Sequence, residues 1–392
     1  MTGLQKNVKQ LMSARKKLLI LVDWFAPGFK AGGPIRSCVN VCSALKEAYE
    51  IYVFTTDTDH GEAAPYQGIV ADKWLYIEAL GVMVYYAKKQ ELNAKQLSAQ
   101  IAFVNADFIY LNHLFSPWFV LYPLWLKYTH KIKGKVVVCP RGALYDSALS
   151  LKAYKKRPLL YLYKWMGVHR QITFHATNER EAAAIEQYFG GSNIMIADNL
   201  PDTNQPAFVS CPKEPGYLKC IFIARIVPIK NLLYLLRILV EAKATITLTI
   251  AGPVEDDAYW QECSKCIAQM PANITINYLG AKRNDELAAL IQQHHLFILP
   301  TTGENFGHSI FEALLCGRPI LISDQTPWLQ LETLGIGWDI PLANPEKVSA
   351  AINTMVGFGQ AEFDLHAAAA WQYAHEFINN PAAKKQYLNL FA

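Results

Sequence analysis

The chain has 392 residues, 52% apolar and 18% charged, with a formal net charge of +4. That length exceeds a single ordinary domain and sets an expectation of two, and the composition excludes a disordered chain. So small a charge makes no case for nucleic acid, and eight scattered cysteines read as reduced and cytoplasmic.

The apolar stretch after Lys16-Lys17 is short and runs into Asp23, so it predicts a strand at 18–22 and no signal peptide. The loop at 23–34 contains Pro27-Gly28 and Ala31-Gly32-Gly33-Pro34, and a helix follows through Cys38, Val41, Cys42 and Leu45. Glycines between a first strand and a first helix let backbone N–H groups approach a phosphate, although this is no GxGxxG. Arg36 lies close to the helix start. A second strand at 51–55 leads to Asp57-Thr58-Asp59. Such a pair can hold a divalent metal against a diphosphate, but two acids in a βα loop are more often turn and capping chemistry.

Strands at 108–111 and 136–139 end at Asn112-His113 and Pro140-Arg141-Gly142. Both tips lie at carboxyl ends of parallel strands, where ligands bind in open α/β sheets. His113 is a ligand contact, or else a packed loop histidine. Arg141 suits a phosphate or another anion. The longest apolar region, 114–126, is broken by Ser116, Pro117 and Pro123 and falls short of a ~20-residue membrane span. From 127 to 170, eleven basic residues face one acid, Asp146, with Tyr154, Tyr161, Tyr163 and Trp165 among them. This mixture fits an anionic membrane surface and equally a solvated helix whose apolar side packs inward.

After a strand at 172–174, Thr177 or Asn178 caps the next helix. Pro201, Pro206, Pro212 and Pro215 mark 199–216 as a linker. The expected division is 1–205, 206–370, and a terminal helix at 371–392 that crosses back to the first domain. The second domain opens with a strand at 219–224, and Arg225 and Lys230 after it, five apart, can clamp a diphosphate. Further strands end at Gly252-Pro253 and at Gly280. Cys263 and Cys266 form a CxxC with no second pair at zinc spacing, so both read as helix residues.

The most informative stretch is 296–325. An apolar strand at 297–299 stops at Pro300–Gly303, and a helix from His308 shows Ile310, Phe311, Leu314 and Leu315 on one face. His308, Ser309, Glu312 and Cys316 form a polar stripe. Gly317 and Arg318-Pro319 end the helix, and 320–322 is the next strand. Gly303 and Gly307 permit a close approach of backbone to ligand, and the helix start attracts an anion.

Glu304-Asn305-Phe306-Gly307-x4-Glu312-Ala313-x3-Gly317-x-Pro319 resembles the E-x7-E motif of the retaining glycosyltransferases of family 4. The resemblance implies an α/β GT-B fold, two facing Rossmann-like domains with a deep interdomain cleft. It places Glu312 on the nucleotide ribose and Glu304 beside the donor sugar, with Arg225 and Lys230 on the diphosphate. Gly32, Gly33, Gly280, Asn305, Phe306, Gly307 and His308 complete the implied donor site, and His113 and Arg141 are cleft candidates. Asn305 and Ala224 stand where many members have glycine. Pro140-Arg141-Gly142 replaces a histidine tip, so that histidine's role is not carried over. The implied donor is a UDP- or GDP-sugar, used without metal or cofactor, which leaves Asp57 and Asp59 as turn residues. The implied acceptor is a glycan or lipid-linked glycan of a surface polysaccharide, and the implied location is cytoplasmic or peripheral on the inner membrane face. The alternatives are another GT-B enzyme, such as a nucleotide-sugar epimerase or a phosphorylase, and a non-catalytic nucleotide-sugar-binding protein. No motif supports the lysine that a phosphorylase would need for pyridoxal phosphate.

Overall fold

The computed structural model describes residues 15–150, 153–202 and 205–392. Lys152, one of the eleven cations counted above, lies outside them. The chain divides into two compact units, Met1–Leu200 with Pro381–Ala392, and Pro201–Asn380.

Strands β1 (Lys17–Leu21), β2 (Glu50–Thr56), β3 (Trp74–Ile77), β4 (Val82–Ala87), β5 (Phe108–Asn112), β6 (Lys135–Cys139), β7 (Thr173–Ala176) and β8 (Asn193–Ile196) build the first sheet. Their order is β3-β4-β2-β1-β5-β6-β7-β8, parallel throughout except for β3, which runs antiparallel to β4 at the edge. Central strands such as β5 are buried at every position, which explains their unbroken apolar sequence. The pair β3–β4 escaped the sequence reading because its edge strand is only partly buried and its turn is local.

The second sheet contains β9 (Tyr217–Ile223), β10 (Thr245–Ala251), β11 (Ile274–Tyr278), β12 (Leu296–Leu299), β13 (Ile320–Ile322) and β14 (Gly337–Asp339). All neighbours are parallel, in the order β11-β10-β9-β12-β13-β14. Both units are therefore Rossmann-like, each with its first strand in mid-sheet and the strand order reversing beside it.

The boundaries differ from the expected ones. Helix Gln360–Asn379 is continuous through 370 and belongs to the second unit, because Phe363, Ala367, Ala370 and Ala374 form one buried stripe in its core. The crossover comes only at Pro381, which cannot continue a helix. Helix Ala382–Leu390 then docks on the first unit, with the Tyr387 ring edge-on to His175 at 5.0 Å and Phe391 against Tyr49, Phe108 and Tyr110. The proline-rich stretch is likewise tied down. Arg318 Nη2 donates to Val209 O and Gln292 O at 2.7 Å, His295 Nε2 bonds Pro212 O at 2.9 Å, and Lys213 Nζ donates to the carbonyls of Glu214, Val356 and Phe358. Arg318 and Lys213 thus bond neutral carbonyls, the Arg318 guanidinium also stands 5.7 Å over the Phe363 ring, and its buried Nε–H has no hydrogen-bond partner among the described residues.

Two buried histidines add a pH dependence. His175 bonds the Tyr110 hydroxyl and Ala197 O, and burial together with Arg141 brings its pKa down to about 3. Ala197 O only accepts, so Nε2 bears the proton and Tyr110 donates to Nδ1. Burial lowers His295 to about 4. Such a histidine binds its proton more readily in the unfolded chain, so its stabilising effect is full above pH ~6.5 and fades as pH falls toward the folded value. Urea titrations should show stability falling below pH ~6.5, by up to about 1.4 kcal/mol per pH unit for each histidine. A flat profile between pH 6.5 and 4.5 would refute the assignment, and His175→Gln should lessen the slope.

Candidate functional site

In each unit most candidate residues lie in or just after loops leaving the carboxyl ends of the strands beside the reversal of strand order, β9 and β12 in the second unit and β1 and β5 in the first, while Gly280 follows β11 and Arg141 follows β6.

In the second unit, the chain after β9 runs against the chain after β10. Gly252 makes this possible: its φ is +152°, and a Cβ there would lie 1.8 Å from Ala224 O. The contact is fixed by Ile226 N–H donating to Pro253 O at 2.8 Å and Glu255 N–H to Ile226 O at 3.3 Å. It brings Glu255 beside Arg225, with Nη1 to Oε2 at 2.8 Å. Sequence reasoning missed Glu255, since nothing within its own stretch marks it. Gly252 N–H also donates to Gly280 O at 2.8 Å, so Gly280, at φ +67°, joins the same rim.

Pro228–Lys230 forms one 3-10 turn, and Asn231, left-handed at φ +59°, leads into helix Leu232–Val240. This turn presents Lys230 to the loop after β12, where Nζ pairs with Glu304 Oε1; both side chains are 14% exposed. The two loops are also joined through Ile229 O, which accepts from Thr302 N–H at 2.8 Å and the Thr301 hydroxyl at 2.9 Å. Glu304 N–H donates to Gln325 O at 3.0 Å, which ties in the loop after β13. An ammonium and a carboxylate paired in a partly enclosed site hold each other's geometry, and either charge can exchange its partner for a ligand's.

Gly307, at φ +78°, precedes helix His308–Leu315, whose first turn has no acidic residue. The first N–H groups of a helix lack partners within it and carry its positive end. As expected, Ile310, Phe311, Leu314 and Leu315 are buried, while His308, Ser309 and Glu312 are half-buried on the other side. Cys316 departs from the expected polar stripe. It is buried with Sγ 3.8 Å from Ala288 O, because the helix has ended and the turn at Gly317 carries the chain into the core. Phe306 is buried too, 5.2 Å from the Trp328 ring and 5.8 Å from Phe311, so only its backbone is left for a ligand. Asn305 is half-buried.

In the first unit, Gly32 takes φ +66° and caps helix Gly33–Leu45, again with no acid in the first turn. Asp59 shapes the loop before it: Oδ2 accepts from Phe29 N–H at 2.8 Å and Lys30 N–H at 3.1 Å. Asp57 Oδ1 accepts from Lys89 N–H at 3.1 Å. Both acids thus act as turn residues toward backbone donors, and among the described residues no cluster of three or more His, Cys, Asp or Glu side chains is placed to hold a metal.

His113 has φ +95° and bonds Cys139 O through its N–H at 2.9 Å, which joins the ends of β5 and β6. The Arg141 guanidinium donates to Asn112 Oδ1 at 2.8 Å, the Tyr110 hydroxyl at 2.9 Å, and Asn199 Oδ1. Three of its five N–H groups are therefore engaged inside the unit, and its first effect is to knit the strand ends to the chain leaving β8. Glu181, fully buried, supports the same turn by accepting from Gly142 N–H and Thr177 N–H, while Asn178 caps the helix Glu179–Phe189.

Residues 207–357 match the family described as Glycosyl transferases group 1. No curated protein matches the chain. Among solved structures, the Anabaena protein HepE, solved with UDP and glucose, is similar at 15% identity and a TM-score of 0.72, over 96% of this chain and 99% of that one. Sucrose-phosphate synthase from Thermosynechococcus elongatus gives 15% identity and 0.70, over 96% and 98%. TarM of S. aureus, solved with UDP, gives 12% and 0.67, over 96% and 99%. At these identities the likeness establishes the fold, which is GT-B, and the second unit contains a glycosyl transferases group 1 domain.

The close approach at Gly252 is directly testable. Gly252→Ala forces Ala224 and the Arg225 loop apart and places alanine in a strained region, which should cost about 1–3 kcal/mol. Chemical denaturation measures this, and an unchanged midpoint would show that the two loops do not meet as described.

Proposed function

We propose that the protein is a retaining, metal-independent glycosyltransferase of the family 4 kind, transferring a sugar from a UDP- or GDP-sugar to a glycan or lipid-linked glycan of a surface polysaccharide, in the cytoplasm or on the inner membrane face. The observation that supports it best is the pairing of Lys230 with Glu304 between the loops after β9 and β12, with Arg225 held by Glu255 in the first of these loops, all inside the segment that matches the transferase family. HepE and TarM were both solved with UDP, which favours a uridine nucleotide for the donor.

In this reading the diphosphate draws the Lys230 ammonium and the Arg225 guanidinium from their carboxylate partners, assisted by N–H groups near Gly307 and the loop of Gly32 and Gly33. As the glycosidic bond breaks, negative charge grows on the leaving nucleoside diphosphate, and the two cations stabilise it. Glu304, released from Lys230, lies at the donor sugar. Glu312 accepts hydrogen bonds from the ribose hydroxyls, Gly280 lines the base, and Asn305 and His308 border the sugar. The acceptor hydroxyl attacks from the face that the leaving group vacates, giving retention. His113 and Arg141 are assigned to the acceptor side.

Glu312→Ala should weaken UDP binding roughly tenfold or more, through loss of charge-assisted bonds worth ~1.5–3 kcal/mol. Glu304→Ala should chiefly lower turnover, and EDTA should leave activity intact. Calorimetry with UDP, and product analysis with nucleotide sugars with and without chelator, give the answer. Unaltered UDP affinity in Glu312→Ala removes the ribose role. Activity lost in EDTA and restored by manganese removes metal independence. UDP binding with no sugar transfer favours the non-catalytic binder, and interconversion of the nucleotide sugar itself favours an epimerase.

A further inference from the structure

Helix Ala153–Trp165 has an arrangement that the donor site does not use. Its inner side is conventional: Leu160 and Tyr163 are buried, with the Tyr163 hydroxyl 3.4 Å from Leu114 O. Its outer side is not. Tyr154, Pro158, Tyr161, Leu162 and Trp165 recur at i, i+4, i+7, i+8 and i+11, which places them on one face of a 3.6-residue helix. That face is turned to solvent: Tyr154 is 74% exposed, Tyr161 75%, Leu162 47% and Trp165 82%. A surface helix normally shows solvent its polar side. Here the cations lie along the borders of the aromatic stripe, Lys155 on one edge and Arg157 and Lys164 on the other, all exposed.

Lys156 belongs to neither border. It turns inward, its Nζ donating to Ala148 O at 2.6 Å and lying 5.6 Å from the Phe115 ring. The contacts of Tyr163 with Leu114 and of Lys156 with Phe115 seat the helix against the segment that continues to Trp118 and Trp125. These rings are 37% and 42% exposed, and Lys131 Nζ stands 5.0 Å over Trp125.

We infer that this outward stripe is a membrane-contact surface: Tyr154, Tyr161, Leu162 and Trp165 enter the headgroup region of an anionic bilayer while Lys155, Arg157 and Lys164 engage lipid phosphates. Aromatic rings favour that depth because one end is apolar and the other tolerates water. Border cations reach the phosphates from the same helix, and no acid follows Asp146 before Glu179, so nothing along this stretch repels the lipid. Charge complementarity thus selects an anionic lipid surface over a protein partner. Among the described residues no helix is long and apolar enough to cross a membrane, so the contact is one of lying on the surface. The inference depends on the exposed face of one helix and is independent of which reaction the second unit performs.

The full chain should co-sediment with vesicles of phosphatidylcholine mixed with phosphatidylglycerol, and much less with phosphatidylcholine alone. Tyr161→Ser with Trp165→Ser should lower partitioning about tenfold or more. Lys155→Glu with Arg157→Glu and Lys164→Glu should abolish the preference for anionic lipid. Brominated lipid should quench tryptophan fluorescence in the wild type, and Trp165→Phe should remove most of that quenching. All these positions are exposed, so the thermal midpoint should not move, and UDP affinity measured on the same variants reports the donor site separately. Equal partitioning of wild type and the Tyr161/Trp165 variant overturns the inference. So does self-association without lipid that the same variant abolishes, since the stripe would then be a protein–protein surface.

Discussion

In a sheet whose strands all run one way, the loops leaving β9 and β12 emerge side by side, and in this protein the ion pair of Lys230 with Glu304 joins them. The pair is partly enclosed, so its attraction is stronger than at an open surface, and neither charge is cut off from solvent. Around it the other contacts fall into place. Thr301 and Thr302 converge on Ile229 O, Glu304 is fixed through its backbone to Gln325, and the Arg225 loop is pressed onto the β10 loop by Gly252. Lys230 is held by Glu304 and Arg225 by Glu255, so each cation is positioned by its own carboxylate.

The same economy of charge runs through the interior. Arg318 is fully buried and bonds the carbonyls of Val209, Gln292 and Gly317; Lys213 caps three carbonyls; Arg141 binds two amide oxygens and a phenol. In each case a long cationic side chain fastens a stretch without regular structure to the end of a strand or helix. Neutral acceptors take most of the hydrogen bonds, the buried Arg318 Nε–H is left without one, and packing elsewhere offsets that cost. The consequence for function is rigidity at the segments that enter and leave each sheet, where the candidate ligand loops begin.

Two surfaces carry the two proposals. The loops of the second unit present the charges assigned to a diphosphate, and a helix of the first unit presents the rings assigned to a lipid interface. The first depends on contacts between distant residues, and the second on which way one helix is turned.

How far the sequence reaches follows from this. Unbroken apolar runs such as 108–111 and 297–299 announced buried parallel strands, and glycines at 307 and 317 announced the ends of one helix, while the spacing of Glu304 and Glu312 carried the family resemblance on which the proposed site rests. All of these are local patterns, set by strand and helix period and by backbone freedom. What the sequence left open was everything that depends on closure over distance. Glu255 meets Arg225 across 30 positions and Glu304 meets Lys230 across 74, and both encounters are consequences of strand order. The crossover at Pro381 was hidden because the alanines at 367, 370 and 374 disclose their partner only once packed. For helix Ala153–Trp165 the sequence supplied a mixture of cations and aromatics but no orientation. A helix of that composition has two apolar faces, and only the packing of Leu160 and Tyr163 against the first unit decided which one water would see.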